Sequence, residues 1–205
     1  MILKHFVLGP LANNNYLLID EDSKEAVLID CTEYTSEIKM ELDIYNATLK
    51  YILLTHGHFD HILGIDETQK MAGGEIIAPL RDKELINNVD TFLYAYGVEN
   101  VKVPHIDRYI TGEDALYFGK NKIQVLDMPG HTKGGLGYLI DNKLFSGDTI
   151  FRESVGRVDL EGGNFTELKN RIENKVFTLP EEYKIYPGHG DFTTVRHEKE
   201  NNRFM

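Results

Sequence analysis

The sequence predicts an α/β fold of four layers, an αββα sandwich in which two β-sheets pack face to face and helices cover both outer faces. Two patterns carry this expectation. Short strands come in two clusters, one in each half of the chain, and helical segments follow each cluster. The stretch Tyr51–Leu54 is apolar without alternation, which suits a strand buried on both faces. Size agrees, because 205 residues with 41% hydrophobic and 27% charged side chains suit one domain with a large core over residues 1–205.

The first half opens with strand-like runs at Ile2–Leu8, Tyr16–Asp20 and Ala26–Asp30, rich in Leu, Ile and Val and separated by Gly-Pro, Asn-rich or charged turns. Residues 35–46 predict a helix. Thr35 or Ser36 would cap it, and Ile38, Leu42 and Tyr45 share its inner face. After Tyr51–Leu54 come a helix over 60–71 and a short strand at Glu75–Ala78. A helix over 80–97 carries Leu85, Ile86, Val89, Phe92, Leu93 and Tyr96; it either packs on the core or lies over a site as a lid.

The second half has strands at Ala115–Phe118, Lys122–Met128, Leu136–Ile140 and Lys143–Ser146. A helix over 165–177 follows, with Asn164 as its cap. A strand at Lys184–Tyr186 leads into Pro187-Gly188-His189-Gly190. The last fifteen residues are polar and predict a short helix with a frayed tail.

Charge and cysteine content narrow the function classes. A net charge of -11 repels polyanions, so no general nucleic-acid binding is expected. The lone Cys31 excludes an intramolecular disulfide and suits a reducing, cytoplasmic setting. The N-terminal run Met1-Ile2-Leu3-Lys4-His5 meets polar residues too early to read as a signal peptide. No stretch approaches the roughly 18–20 apolar residues of a membrane span, so no membrane partner is expected.

The densest chemical signal is Thr55-His56-Gly57-His58-Phe59-Asp60-His61. Histidine totals only 8 in the chain, and three fall here with an aspartate. The motif begins where a buried strand ends and runs into a helix, a junction from which side chains can converge on a crevice. Three further segments repeat the design after a strand: Gly130-His131-Thr132, Gly147-Asp148-Thr149 and Gly188-His189-Gly190. Imidazole and carboxylate groups at four strand ends suit zinc, iron or manganese. So many polar groups in one crevice would be costly without a cation. His5, His105 and His197 lie outside these motifs and predict surface positions.

Taken in order, these four motifs resemble the metallo-β-lactamase superfamily over roughly residues 2–195. The resemblance implies that His56, His58 and His131 bind a first metal ion and Asp60, His61 and His189 a second. It implies that Asp148 bridges the two. Zinc is the first choice, with iron or manganese as alternatives.

Within the superfamily, the run Gly147–Phe151, then Ser154–Leu160 and Gly162-Gly163, resembles the glyoxalase II group, as does the Tyr186–Gly190 ending. That group hydrolyses S-D-lactoylglutathione. The resemblance implies a thioester hydrolase acting on this or a related small-molecule thioester. A metal-bridging hydroxide would attack the carbonyl, with Asp60 orienting it and Asp148 fixing the spacing of the ions. Metal binding lowers the pKa of water from about 15.7 towards 7. Arg157, nine residues after Asp148, would hold a substrate carboxylate through two hydrogen bonds, or else make a structural salt bridge in its loop. The larger glyoxalase II enzymes carry a C-terminal helical domain. The chain ends 16 residues after His189, so that domain is expected to be absent.

Other readings stay open on sequence. A mononuclear-iron persulfide dioxygenase of the same fold shares Gly156-Arg157 and Asp159, although Pro187-Gly188-His189-Gly190 favours the hydrolase. A lactonase would keep all seven ligands. The β-lactamases proper usually place a cysteine where Asp148 stands. A tRNA-processing nuclease would want a basic surface, and a module that had lost its activity would have lost ligands.

Overall fold

The computed structural model describes all residues, 1–205. The first sheet runs in sequence order through β1 (Ile2–Leu8), β2 (Asn13–Ile19), β3 (Glu25–Ile29), β4 (Thr48–Leu53), β5 (Glu75–Pro79) and β6 (Arg108–Ile110). Its first three strands are antiparallel and β3 to β6 are parallel. The parallel strands are joined by helices. These are α1 (Ser36–Ile44), then α2 (Phe59–Ile62) with α3 (Ile65–Ala72), and finally α4 (Lys83–Asn87) with α5 (Val89–Ala95).

The second sheet contains β7 (Ala115–Phe118), β8 (Asn121–Asp127), β9 (Leu136–Ile140) and β10 (Lys143–Gly147). A two-stranded hairpin of β11 (Ile150–Phe151) and β12 (Ser154–Val155) follows, then α6 (Phe165–Arg171). β13 (Lys184–Pro187), β14 (Thr193–Thr194) and α7 (Val195–Asn201) complete the chain. The sheet order is β14-β13-β10-β9-β8-β7, with only β10 and β13 parallel.

Strand alternation sorts the buried side chains into three apolar layers. Tyr16, Leu18, Val27, Ile29 and Leu53 of the first sheet meet Ile123, Val125, Tyr138 and Phe145 of the second. Their neighbours Leu17, Leu28, Ile52 and Ile76 point the other way, onto Ile38 and Leu42 of α1, Ile65 of α3 and Ile86 and Leu93 of α4 and α5. On the far side, Leu144 and Ile185 pack against Leu168 of α6 and Val195 of α7. This is the four-layer αββα sandwich that the sequence predicts. No helix is long and apolar enough to cross a membrane.

Several element boundaries differ from the sequence reading. The helix expected over 60–71 is two pieces, because the Gly64 backbone bonds to Cys31 and sits so close to Glu33 that a Cβ would collide with it. The segment expected as one helix over 80–97 is a 3₁₀ turn at Leu80–Asp82 followed by α4 and α5. Its Ile86, Val89 and Leu93 belong to the core, so the segment packs, while Phe92 faces a cleft. The tail is not frayed. Thr194 caps α7, and the buried Glu198 carboxylate accepts from Thr193 Oγ1, Glu153 N–H and Asn202 Nδ2. The expected caps Thr35 and Asn164 accept from Glu37 and Glu167 N–H.

Candidate metal centre

All four motifs open on one edge of the sandwich. His56, His58, Asp60 and His61 follow β4 of the first sheet. His131, Asp148 and His189 follow β8, β10 and β13 of the second. Within each of three sets the ligand atoms lie within 4.8 Å of one another: His56, His58, His131; His56, His61, Asp148; and Asp60, His61, His189. His58 Nδ1 and His131 Nε2 are 2.9 Å apart. Asp148 lies between the groups, with Oδ2 3.6 Å from His131 Nε2 and 3.5 Å from His189 Nε2, and Oδ1 3.5 Å from His61 Nε2. His189 Nε2 is 3.2 Å from Asp60 Oδ2.

Each of four imidazoles is fixed through its other nitrogen. His56 Nδ1 meets Thr55 Oγ1 at 3.1 Å, and His61 Nδ1 meets Asp30 Oδ2 at 2.8 Å. His131 Nδ1 bonds the Arg157 carbonyl at 2.7 Å, and His189 Nδ1 bonds the Leu11 carbonyl at 3.1 Å. Such bonds set the ring orientation and aim the remaining nitrogens inward.

Burial and mutual repulsion set the charge states. Burial, then the neighbouring His61 and His131, push His56 far below its ordinary value. Burial and His131 push His58 down to about 3. Burial also opposes charge on His61, but Asp30 and Asp148 overcome it and raise that group well above the usual range. Burial would raise the carboxyls of Asp60 and Asp148. Instead the His189 hydrogen bond lowers Asp60, and the His61 charge lowers Asp148. His56 and His58 are thus held neutral and Asp60 and Asp148 ionised, as metal ligation needs. The carboxylates favour protonated His61 and, through the Asp60 hydrogen bond and against burial, protonated His189, protons that a bound cation would displace.

The residues fit a cation on a specific observation. His56 Nε2 and Asp148 Oδ1 are buried polar atoms with no hydrogen-bond partner. Orphaned atoms of this kind are rare in folded proteins, and an ion between them would satisfy both. The mixed nitrogen and oxygen donors suit zinc, iron or manganese. Glycine is required beside them. A Cβ on Gly188 would collide with the Asp148 carboxylate, and Gly147 has φ +50° with Thr55 Oγ1 only 2.5 Å from where its Cβ would stand.

Residues 8–189 match the Metallo-beta-lactamase superfamily. The chain belongs to that superfamily. Members bind metal ions, and the His and Asp sets above are this member's candidate sites. It is 31% identical to hydroxyacylglutathione hydrolase GloC of Haemophilus influenzae, over 93% of this chain and 92% of that one. It superposes on the crystal structure of BLEG-1 B3 metallo-beta-lactamase with a TM-score of 0.90, at 32% identity and 99% coverage of both chains. It superposes on TTHA1623 in a di-iron-bound form with a TM-score of 0.86, at 31% identity over 98% of this chain and 100% of that one.

In this metallo-hydrolase, Arg157 makes the salt bridge named among the sequence expectations. Its Nε and Nη2 each donate to Asp159 at 2.7 Å; both side chains are exposed, and Arg157 lines the cleft. His5, His105 and His197 lie away from the centre and pair with Asn14, Asp107 and Glu153.

Three supporting residues were not read from sequence. Asp30, at φ 57°, accepts from Thr55 N–H and Oγ1 as well as orienting His61. Asn13 Nδ2 reaches His61 Nε2 at 2.8 Å, from a run that reads as a turn but opens β2. Asp82 is buried and joins two ligand loops. It accepts from Gly57 N–H at 2.9 Å, Thr132 Oγ1 at 2.8 Å and Gly134 N–H at 2.6 Å. Asp30 repeats the strand-end placement of the other motifs, so a signal existed for it. Asp82 carried none.

Proposed function

We propose that this superfamily member is a dinuclear metal-dependent thioester hydrolase of the glyoxalase II type, and that residues 1–205 work as a single domain. The observation that carries the reading is the pair of orphaned buried atoms, His56 Nε2 and Asp148 Oδ1, inside a ring of seven converging His and Asp side chains. The 31% identity to a hydroxyacylglutathione hydrolase supports the choice of thioester.

In this reading His56, His58 and His131 hold one divalent ion and Asp60, His61 and His189 the other, with Asp148 shared. Zinc is the first candidate, and iron or manganese fits the same donors. When bound, such ions supply Lewis acidity and a nucleophile at neutral pH. Asp60 accepts a hydrogen bond from the attacking water and orients it, since its carboxylate stays ionised beside His189. Asp148 fixes the distance between the two ligand sets. Arg157 exchanges its exposed partner Asp159 for a carboxylate on the thiol arm of the substrate. A thiolate leaves readily, so no side chain has to act as a strong general acid.

The deciding experiment measures metal content per chain and hydrolysis of S-D-lactoylglutathione on the same sample. Two ions with hydrolysis of this or another thioester is the expected result. One iron per chain with oxygen uptake and no hydrolysis would replace this reading with an iron oxygenase.

A further inference from the structure

The cleft above the candidate metal centre has a volume of about 380 Å³. Its floor is polar, made by His58, Asp60, His131, Asp148 and His189. Its walls are not. Leu11, Phe59, Phe92, Phe151, Val155 and Leu160 stand around the floor, and none of them is buried.

One wall is an aromatic ladder. Phe59 and Phe92 stack with ring centres 6.2 Å apart and planes 28° apart, and the Phe92 ring centre lies 5.0 Å from that of Tyr96, which caps the C-terminus of α5. Across the floor, Phe151 stands edge-on to His189 at 6.1 Å, beside Leu11, which is 52% exposed. Rings held open to water next to reactive polar groups mark a recognition surface.

Above the floor, charged groups are scarce in the same space. Arg157 is the cleft's one Lys or Arg side chain, so a substrate carboxylate finds at most one cationic contact there. Lys133, Glu84 and Glu161, which could hold the charged ends of a peptide, line a separate pocket of about 110 Å³ that meets the cleft at Phe92. A hydrophilic tripeptide thioester with a hydroxyacyl group would leave the ladder uncovered.

Resting on the thioesterase reading above, we propose that the substrate class is an apolar thioester, with at least one arm a compact aryl or branched aliphatic group packed on Phe59 and Phe92. Hydrolysis adds water across the C–S bond. The carbonyl carbon gains the oxygen, the sulfur leaves with the bonding electrons and takes up one proton of the water to become the thiol, and the other proton is released as the carboxylic acid ionises. Burying such a group should favour it over its polar counterpart by about tenfold or more.

The test uses the metal-loaded full chain and three substrates: S-D-lactoylglutathione, S-phenylacetylglutathione and the D-lactoyl thioester of benzyl thiol. The expected result is that at least one of the two phenyl-bearing thioesters exceeds S-D-lactoylglutathione in kcat/KM by about tenfold or more. Phe92→Ala should erase that advantage, lowering kcat/KM for the favoured phenyl-bearing thioester by about tenfold more than for S-D-lactoylglutathione, with the metal content near that of the parent. Calorimetric binding of phenylacetate and benzyl thiol gives a second readout, in which at least one binds more weakly to Phe92→Ala. If S-D-lactoylglutathione is the best of the three, or Phe92→Ala slows all three alike, the apolar assignment falls and the thioesterase reading stands. If two metal ions are bound and no thioester is cleaved, both fall.

Discussion

At the scale of single residues, the centre depends on groups that cannot be exchanged because each has several partners at once. Asp148 faces three imidazoles drawn from both ligand sets. Asp148→Ala should reduce binding from two ions to one or none, measured by elemental analysis. Turnover should fall by more than the about 10–100-fold that loss of a supporting group costs. A variant with two ions and full turnover would refute the shared role. Asp82 touches none of the seven, yet it ties the Gly57 loop to the Thr132–Gly134 loop through three accepted hydrogen bonds. Removing it strands two backbone N–H groups and a hydroxyl, each unmet buried group being worth about 1–3 kcal/mol. Asp82→Ala should therefore unfold at lower denaturant, with a loss of about 3 kcal/mol or more. It should also bind metal about 10–100-fold more weakly. Equal metal affinity in a folded Asp82→Ala protein would show that the loops hold their spacing without it.

At the scale of elements, the strand ends that carry the chemistry also carry stability. β3 leads into Asp30 and Cys31, whose buried thiol lies 3.1 Å from Thr68 Oγ1 of α3. Burial pushes that thiol up to about 12 from an ordinary value of 9.0. Between those values the unfolded chain has lost the proton and the folded chain keeps it, so stability falls as pH rises. Denaturant unfolding should show a steeper alkaline loss from pH 9 to about 12 in the parent than in Cys31→Ala, and iodoacetamide should not label the native thiol near neutrality. Rapid labelling at neutral pH would contradict this burial. The C-terminal helix α7 is held through Glu198, whose partners include Glu153 N–H in the hairpin that carries Phe151 and Ser154. Glu198→Ala should cost about 2–4 kcal/mol by stranding these donors. Faster hydrogen exchange should appear in β11 and β12, and unchanged exchange there would rule out the anchor. This element shows what the sequence conceals. The seven site residues were legible because histidine is rare and clustered beside glycine at strand ends. Glu198, Asp82 and the break at Gly64 were not, because their partners lie far along the chain and their residue types are common on surfaces. The two-piece helices followed the same rule, since periodicity signals an apolar face and not the backbone contact that interrupts it.

At the scale of the whole molecule, the four-layer architecture was predictable because strand alternation and two strand clusters constrain the layers strongly, whereas the short strands β6, β11, β12 and β14 carry too few residues to signal themselves. The layers make the metal centre a cross-link. His56, His58, Asp60 and His61 leave the first sheet, while His131, Asp148 and His189 leave the second. Between the sheets the inner core already joins them, with Tyr138 donating to the Leu54 carbonyl at 2.7 Å just before the first ligand loop. Ions at the rim add a second join, one that exists only in the folded state. Each ion held at 100 times its dissociation constant should stabilise the fold by about 2.7 kcal/mol. Chelation should therefore lower the melting temperature of the full chain, and readdition of zinc should restore it in a concentration-dependent manner. For a domain of this size about 1 kcal/mol corresponds to roughly 2–4 °C, so losing two ions should shift the transition by about 10–20 °C. Asp148→Ala should show a smaller shift, because it removes the group shared between the sets without touching either sheet. A chelator-insensitive transition in a protein shown to lose its metal would mean that the rim adds nothing to sheet pairing and that the inner core alone holds the sandwich closed.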